Sequence, residues 1–196
     1  MLKDGGFEDL VETTNFNNTY KFGTSFDWSH FYHGIYYYDS DNVRSGNYSV
    51  KVQGAKVSTS DTNWRGFKGI AQHIGDTVKT YGTGTYTFTA YVKLDSSTCD
   101  SNFYLRFGLA QANWNSNVAG NQYTDLTYSD FTSGQWTQIT KTITITESDL
   151  AKADVLLVYI TAEQTGTAPI FYVDDACLTF TPTTQTAKTP DIVPYM

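Results

Sequence analysis

Hydrophobic and polar residues alternate along much of this chain. In Tyr86-Thr87-Phe88-Thr89-Ala90-Tyr91-Val92 the set Tyr86, Phe88, Ala90 and Val92 falls on one face. Isoleucines alternate with threonines from Ile139 to Ile145, and Tyr48-Ser49-Val50-Lys51-Val52 does the same with valines. In Phe103-Tyr104-Leu105-Arg106-Phe107 the odd positions are apolar. A period of two marks a half-buried β-strand, and β-branched and aromatic side chains suit a pleated surface. Turn-forming stretches separate the runs: Ser45-Gly46-Asn47, Tyr81-Gly82-Thr83-Gly84 and Thr132-Ser133-Gly134. Only residues 147–153 read as a helical turn. Many short strands without intervening helices predict an all-β fold, a β-sandwich jelly roll of two antiparallel sheets.

Irregular segments are expected over 11–33, 58–69 and 113–127, where a rigid β scaffold usually carries function. From Thr181 the chain becomes Thr/Pro-rich. The domain is therefore expected to span 1–180, with 181–196 as a linker or tail. A chain of 196 residues suits one such domain.

Composition narrows the function. Charged residues make up 17% and aromatic residues 16%, with 15 Tyr and 4 Trp. That is more ring area than one core needs, so exposed rings with a binding purpose are expected. The net charge of −7 and the scattered Lys and Arg exclude nucleic acid as a partner, since no basic stripe could release counterions. No apolar run is long enough to span a membrane, and none follows Met1 as a leader would. A monomeric module cut from a larger secreted, extracellular protein, with Met1 added, is expected. Cys99 and Cys177 permit one disulfide or two free thiols, and their spacing is not that of a metal site.

Four stretches, in order, resemble the β-jelly-roll carbohydrate-binding modules of families 4, 9 and 22, which accompany xylanases and other glycoside hydrolases. They are Asp4-Gly5-Gly6-Phe7-Glu8; Ser45 to Val52 followed by Asn63-Trp64-Arg65-Gly66; Gly84 to Lys93; and Phe171-Tyr172-Val173-Asp174-Asp175-Ala176-Cys177-Leu178. The resemblance implies a galactose-binding-domain-like sandwich that binds a polysaccharide. It also implies a covalently linked catalytic domain in the parent protein. A structural calcium ion (Ca2+) is implied as well, held by the Gly6 carbonyl, the Glu8 carboxylate, the Tyr48 carbonyl and Asp174. Calcium takes six to eight such oxygen ligands.

A pyranose ring has an apolar C–H face that a flat aromatic can cover, and its hydroxyls need amide, carboxylate or guanidinium partners. Alternation places Tyr159 and Thr161 opposite the apolar set Leu156, Val158 and Ile160, and Tyr104 and Arg106 opposite the apolar set of their own run. The resemblance to family 22 points to Trp64, Tyr123 and Tyr159 as ligand-stacking rings. The carboxylate that the family places two residues after its late tyrosine has no match at Thr161; Glu163 lies two further on. Trp114, in an inserted loop over 113–122, and Gln111 beside it complete the expected site. These departures leave xylan, cellulose, mixed-linkage β-glucan and xyloglucan open as ligands.

The chain is not expected to be an enzyme. A jelly-roll glycosidase needs two carboxylates across a cleft, about 5–5.5 Å apart for retention and more for inversion. Glu occurs only at positions 8, 12, 147 and 163, with no evident pair. No nucleophile elbow or phosphate loop is present, so no catalytic residue is assigned. His30 and His33 lack an evident third ligand for zinc. Two alternatives are a small jelly-roll glycosidase and a structural or adhesion module, because one sandwich serves many roles.

Overall fold

The structure, a computed structural model, describes residues 2, 5–8, 29–31, 35–58, 68–111, 123–151 and 156–183, with backbone alone at 29–31, 35, 110 and 111. Two sheets form the body. The first runs in the order β1 (Ser29–Phe31), β5 (Lys68–His73), β10 (Leu156–Thr165), β7 (Tyr104–Gln111), β8 (Tyr123–Thr127). In it β4 (Ala55–Val57) lies parallel to the end of β10, through Glu163 to Thr165. The second sheet runs β2 (Ile35–Asp39), β3 (Ser49–Gln53), β11 (Ile170–Pro182), β6 (Gly84–Leu94), β9 (Thr137–Ile145). All pairings in this sheet are antiparallel. The predicted two-sheet sandwich is the observed architecture.

Alternation builds the core. The inner face of β6 is Tyr86, Phe88, Ala90, Val92 and Leu94, all buried, while its threonines face outward. Opposite them stand Leu105, Phe107 and Leu109 of β7 with Leu156, Val158 and Ile160 of β10. Phe88 and Phe107 stack across the gap, ring centroids 4.3 Å apart and nearly coplanar at 4°. Such offset rings add to the area they bury.

Three parts of the expectation need correction. The helix α1 (Gly75–Tyr81) was not anticipated. Thr77, Val78, Thr80 and Tyr81 favour strands, and only Asp76 in its first turn and Lys79 in its last mark it as helical. Burial of Val78 holds it in place. The segments read as irregular also contain β1, the first residues of β5 and all of β8, whose Thr and Asp weaken any apolar pattern. The boundary at 180 is two residues early, since β11 continues to Pro182. The helical turn expected at 147–153 is α2 (Glu147–Leu150), capped reciprocally by Thr146 and Asp149.

Both cysteines are free thiols. Cys99 is buried with its thiol donating to the Ile170 carbonyl at 3.1 Å, and Cys177 is exposed. Cys177 is seven positions along β11 from Ile170, roughly 23 Å of strand, so the two sulfurs cannot be bridged.

The inter-sheet stack yields a stability prediction. Phe107→Ala is expected to cost about 3–5 kcal/mol in denaturant unfolding, through lost burial and a cavity at Phe88. A cost under about 1 kcal/mol would mean that the two sheets do not depend on this contact.

Candidate functional site

Strand β10 is buried on both faces. Its inner face joins the core. Its outer face carries Leu157, Tyr159, Thr161 and Glu163, of which alternation predicted Tyr159 and Thr161. Register then decides the neighbours. Tyr159 lies between Ala71 of β5 and Gly108 of β7, and Gly108 pairs with Tyr123 of β8. Thr161 lies between Gly69 and Arg106, and Arg106 pairs with Asp125. Glu163 pairs with Tyr104. Residues with little or no side chain thus flank the tyrosine on both sides, leaving a low floor across the middle of the sheet. A side chain at Gly69 would meet the Ile160 carbonyl oxygen at 2.0 Å, so only glycine fits there.

A small apolar cluster sits on this floor: Ala71, Leu157 and Tyr159, with Tyr123 packed against it. Arg106 closes one side. Its Nε and Nη2 donate to the two carboxylate oxygens of Asp125 at 2.7 and 2.9 Å, a bidentate charge-assisted pair. The guanidinium carbon lies 3.8 Å from the Tyr123 ring centroid, a cation–π stack. Burial works against the Arg106 charge, but hydrogen bonding and charge from Asp125 outweigh it and hold the guanidinium more firmly protonated than usual. Burial raises the Tyr159 hydroxyl well above its ordinary value, opposed in part by Arg106. His73 is also on this face, opposite Leu157, and burial lowers its pKa.

The predicted residues are therefore brought together, but not as predicted. Tyr159 and Thr161 share the outer face with Tyr104, Arg106 and Tyr123, yet both are 0% exposed and Glu163 only 7%. The expectation of an uncovered Tyr159 ring is corrected: parity fixes which face a side chain takes, not what covers that face. Tyr123 is half-buried and rests on Tyr159. Gln111 ends β7 with only its backbone described, and Trp64 and Trp114 lie outside the described residues. Asp125 was missed. Its one signal, an acid placed to pair with Arg106, becomes visible only when β8 is known to be a strand. Among the described residues the exposed large rings are Tyr37 at 51% and Tyr81 at 49%, neither of them in the expected site.

The expected calcium ligands cluster elsewhere, around residues 44–48. Both Glu8 oxygens accept from Asn47, through its backbone N–H at 2.9 and 3.1 Å and its side-chain amide at 3.1 Å. The Tyr48 N–H adds a bond to Oε1 at 3.2 Å. These backbone bonds lower the Glu8 pKa. Asp174 is fully buried and accepts from the Arg44, Ser45 and Asp175 N–H groups at 2.8, 3.2 and 2.7 Å. Burial raises its carboxyl, offset in part by those bonds. Asp175 stands at φ 48°, where β11 shifts register against β6, and pairs with the Arg44 guanidinium. Arg44 also stacks on Tyr91 at 3.4 Å. At the same bulge the Ala176 N–H donates to the Gly5 carbonyl at 2.8 Å. Hard oxygen donors and a buried acid fit a calcium ion in chemistry. Glu8, however, directs its oxygens at N–H groups.

Comparison with known structures supplies the fold. The chain is similar to the CBM22-1 xylan-binding domain of Paenibacillus barcinonensis Xyn10C, at 15% identity and a TM-score of 0.55, over 82% of this chain and 90% of that one. It is similar to the C-terminal family 22 carbohydrate-binding module of Clostridium thermocellum Xyn10B, at 16% identity and 0.51, over 78% and 84%. It is also similar to the CBM22-1–GH10 modules of Clostridium thermocellum Xyn10B, at 14% identity and 0.50, over 82% and 27%. No family model matches the sequence, and no curated protein does. The chain has the β-sandwich fold of family 22 carbohydrate-binding modules.

The Glu8 contacts predict a pH dependence. Its pKa is lowered on folding, so its stabilising effect is complete above the unfolded value near 4.5 and fades as pH falls through the folded one. Glu8→Gln is expected to melt below the parent at pH 7, with the gap narrowing as the pH falls below the unfolded value. A gap that stays constant with pH would show that the carboxylate charge plays no part.

Proposed function

We propose that this chain is a non-catalytic module that binds a plant cell-wall polysaccharide, xylan or another β-linked glycan, on the outer face of its first sheet. The observation that carries this reading is the meeting of Tyr123, Tyr159, Arg106, Asp125 and Tyr104 over a floor of small residues, on adjacent strands. Tyr159 is the support and Tyr123 the ring that meets the sugar. A partly covered ring contributes about 1–3 kcal/mol of stacking. With a few hydrogen bonds that suits millimolar to micromolar affinity, roughly −4 to −8 kcal/mol. The fold likeness to a xylan-binding domain supports the choice of ligand class.

The site works by adhesion rather than by cleavage. Asp125 is committed to Arg106, and Glu163 is nearly sealed. Binding would hold an attached glycoside hydrolase of a secreted parent protein at its substrate, and the similar modules joined to a GH10 domain support that arrangement.

Affinity gel electrophoresis tests the reading. Retarded migration is expected on at least one of xylan, β-glucan, xyloglucan and mannan, with no reducing sugar released. Tyr123→Ala is expected to weaken binding about tenfold, the effect of roughly 1.4 kcal/mol. Migration unchanged on all four glycans would overturn the proposal.

A structural calcium ion is part of the same proposal, held near residues 44–48 by Asp174, Glu8 and the Gly6 and Tyr48 carbonyls. It would offset the buried Asp174 charge. Addition of EDTA is expected to lower the melting temperature by several degrees. An unchanged melting curve would mean that backbone amides and Arg44 suffice.

A further inference from the structure

The outer face of the first sheet carries a guanidinium in its centre, a group that ordinarily recruits anions. Sugars that bear uronic acids would be natural ligands for it. Three observations argue the other way. Both Asp125 oxygens are bound by Arg106, at 2.7 and 2.9 Å, so the cation is neutralised within the site. The side chains of this pair are mostly buried, at 18% and 25% exposure, where a charge is poorly screened by water and its partner matters more. The flat face of the guanidinium is taken by Tyr123. Among the described residues the other titratable groups near this face are Glu163, His73 and Lys141. Glu163 is anionic. His73 has a pKa lowered by burial and is neutral at pH 7. The Lys141 amine, from the other sheet, is held on the Tyr123 carbonyl oxygen at 3.2 Å.

We infer that Asp125 is a selectivity residue, which cancels the Arg106 charge and sets the face to take uncharged glycans in preference to uronic-acid-bearing ones. This rests on the proposed function and names the ligand class for that same site. An acidic glycan arriving at this face meets Asp125, and to use Arg106 it must displace an intramolecular carboxylate already bound in two places. A neutral sugar has no such penalty, and stacks on a Tyr123 ring that Arg106 holds in position.

The test compares retardation by neutral β-glucan and linear arabinoxylan with retardation by polygalacturonate and glucuronoxylan, at 50 and 500 mM NaCl. The parent protein is expected to bind a neutral glycan at both salt levels and polygalacturonate at neither. Asp125→Asn keeps the shape and removes the charge. It is expected to raise polygalacturonate affinity about fivefold or more relative to neutral glycan at 50 mM NaCl, with the gain lost at 500 mM. The double variant Arg106→Gln with Asp125→Asn is expected to bind more weakly but to recover the parent's neutral-over-acidic ratio. A purely structural ion pair would lower affinity for every glycan alike and leave that ratio unchanged. A parent protein that binds polygalacturonate as well as β-glucan would overturn the inference, even if Asp125→Asn fails to fold. So would an Asp125→Asn ratio within about twofold of the parent's. Failure of all neutral glycans to retard the parent would instead overturn the proposed function.

Discussion

The candidate face depends on β10 being covered from both sides. A central strand with one wet face would carry polar outward residues and could not anchor rings. Here the outward residues Leu157 and Tyr159 bury a second, small apolar cluster of their own, separate from the inter-sheet core. That cluster fixes Tyr159, Tyr159 supports Tyr123, and Tyr123 receives the Arg106 guanidinium. Each contact is satisfied by the one below it, down to a strand whose inner side chains are locked between two sheets. Small residues at Gly69, Ala71 and Gly108 are what make room for this layer.

A second assembly does analogous work in the other sheet, beside its central strand β11. The segment at 44–48 lies against β11, where Asp175 interrupts the ladder, and three acids hold it: Glu8, Asp174 and Asp175. Glycine is required at two of the close approaches. A side chain at Gly5 would meet the Ala176 carbonyl oxygen at 2.0 Å, and one at Gly46, itself at φ 69°, would meet Glu8 at 2.1 Å. Carboxylates here give the backbone N–H groups of Arg44, Ser45, Asn47 and Tyr48 somewhere to donate.

The sandwich was legible because strand alternation is a local signal; β6 repeats it without interruption and β9 breaks it only at Lys141. The facing of Tyr104, Arg106, Tyr159 and Thr161 was legible for the same reason. Exposure was not. Tyr159 and Thr161 read as surface residues because alternation says nothing about a layer laid over the sheet. The helix α1 escaped because its Thr and Val side chains are strand formers, overridden by tertiary burial of Val78. Asp125 escaped because its role exists only through a cross-strand register with Arg106, nineteen positions away. Pairings of that kind carry no mark in the sequence of either strand.

The stack of Arg106 on Tyr123 has a consequence for how long a bound chain would stay. An aromatic ring has two sides, and the guanidinium already covers one, so the ring can never be the filling of a sandwich between two sugars. A sugar stacked on this ring would be touched by it from a single direction. Under the proposed function, a one-sided contact of that sort would be shallow and quickly renewed.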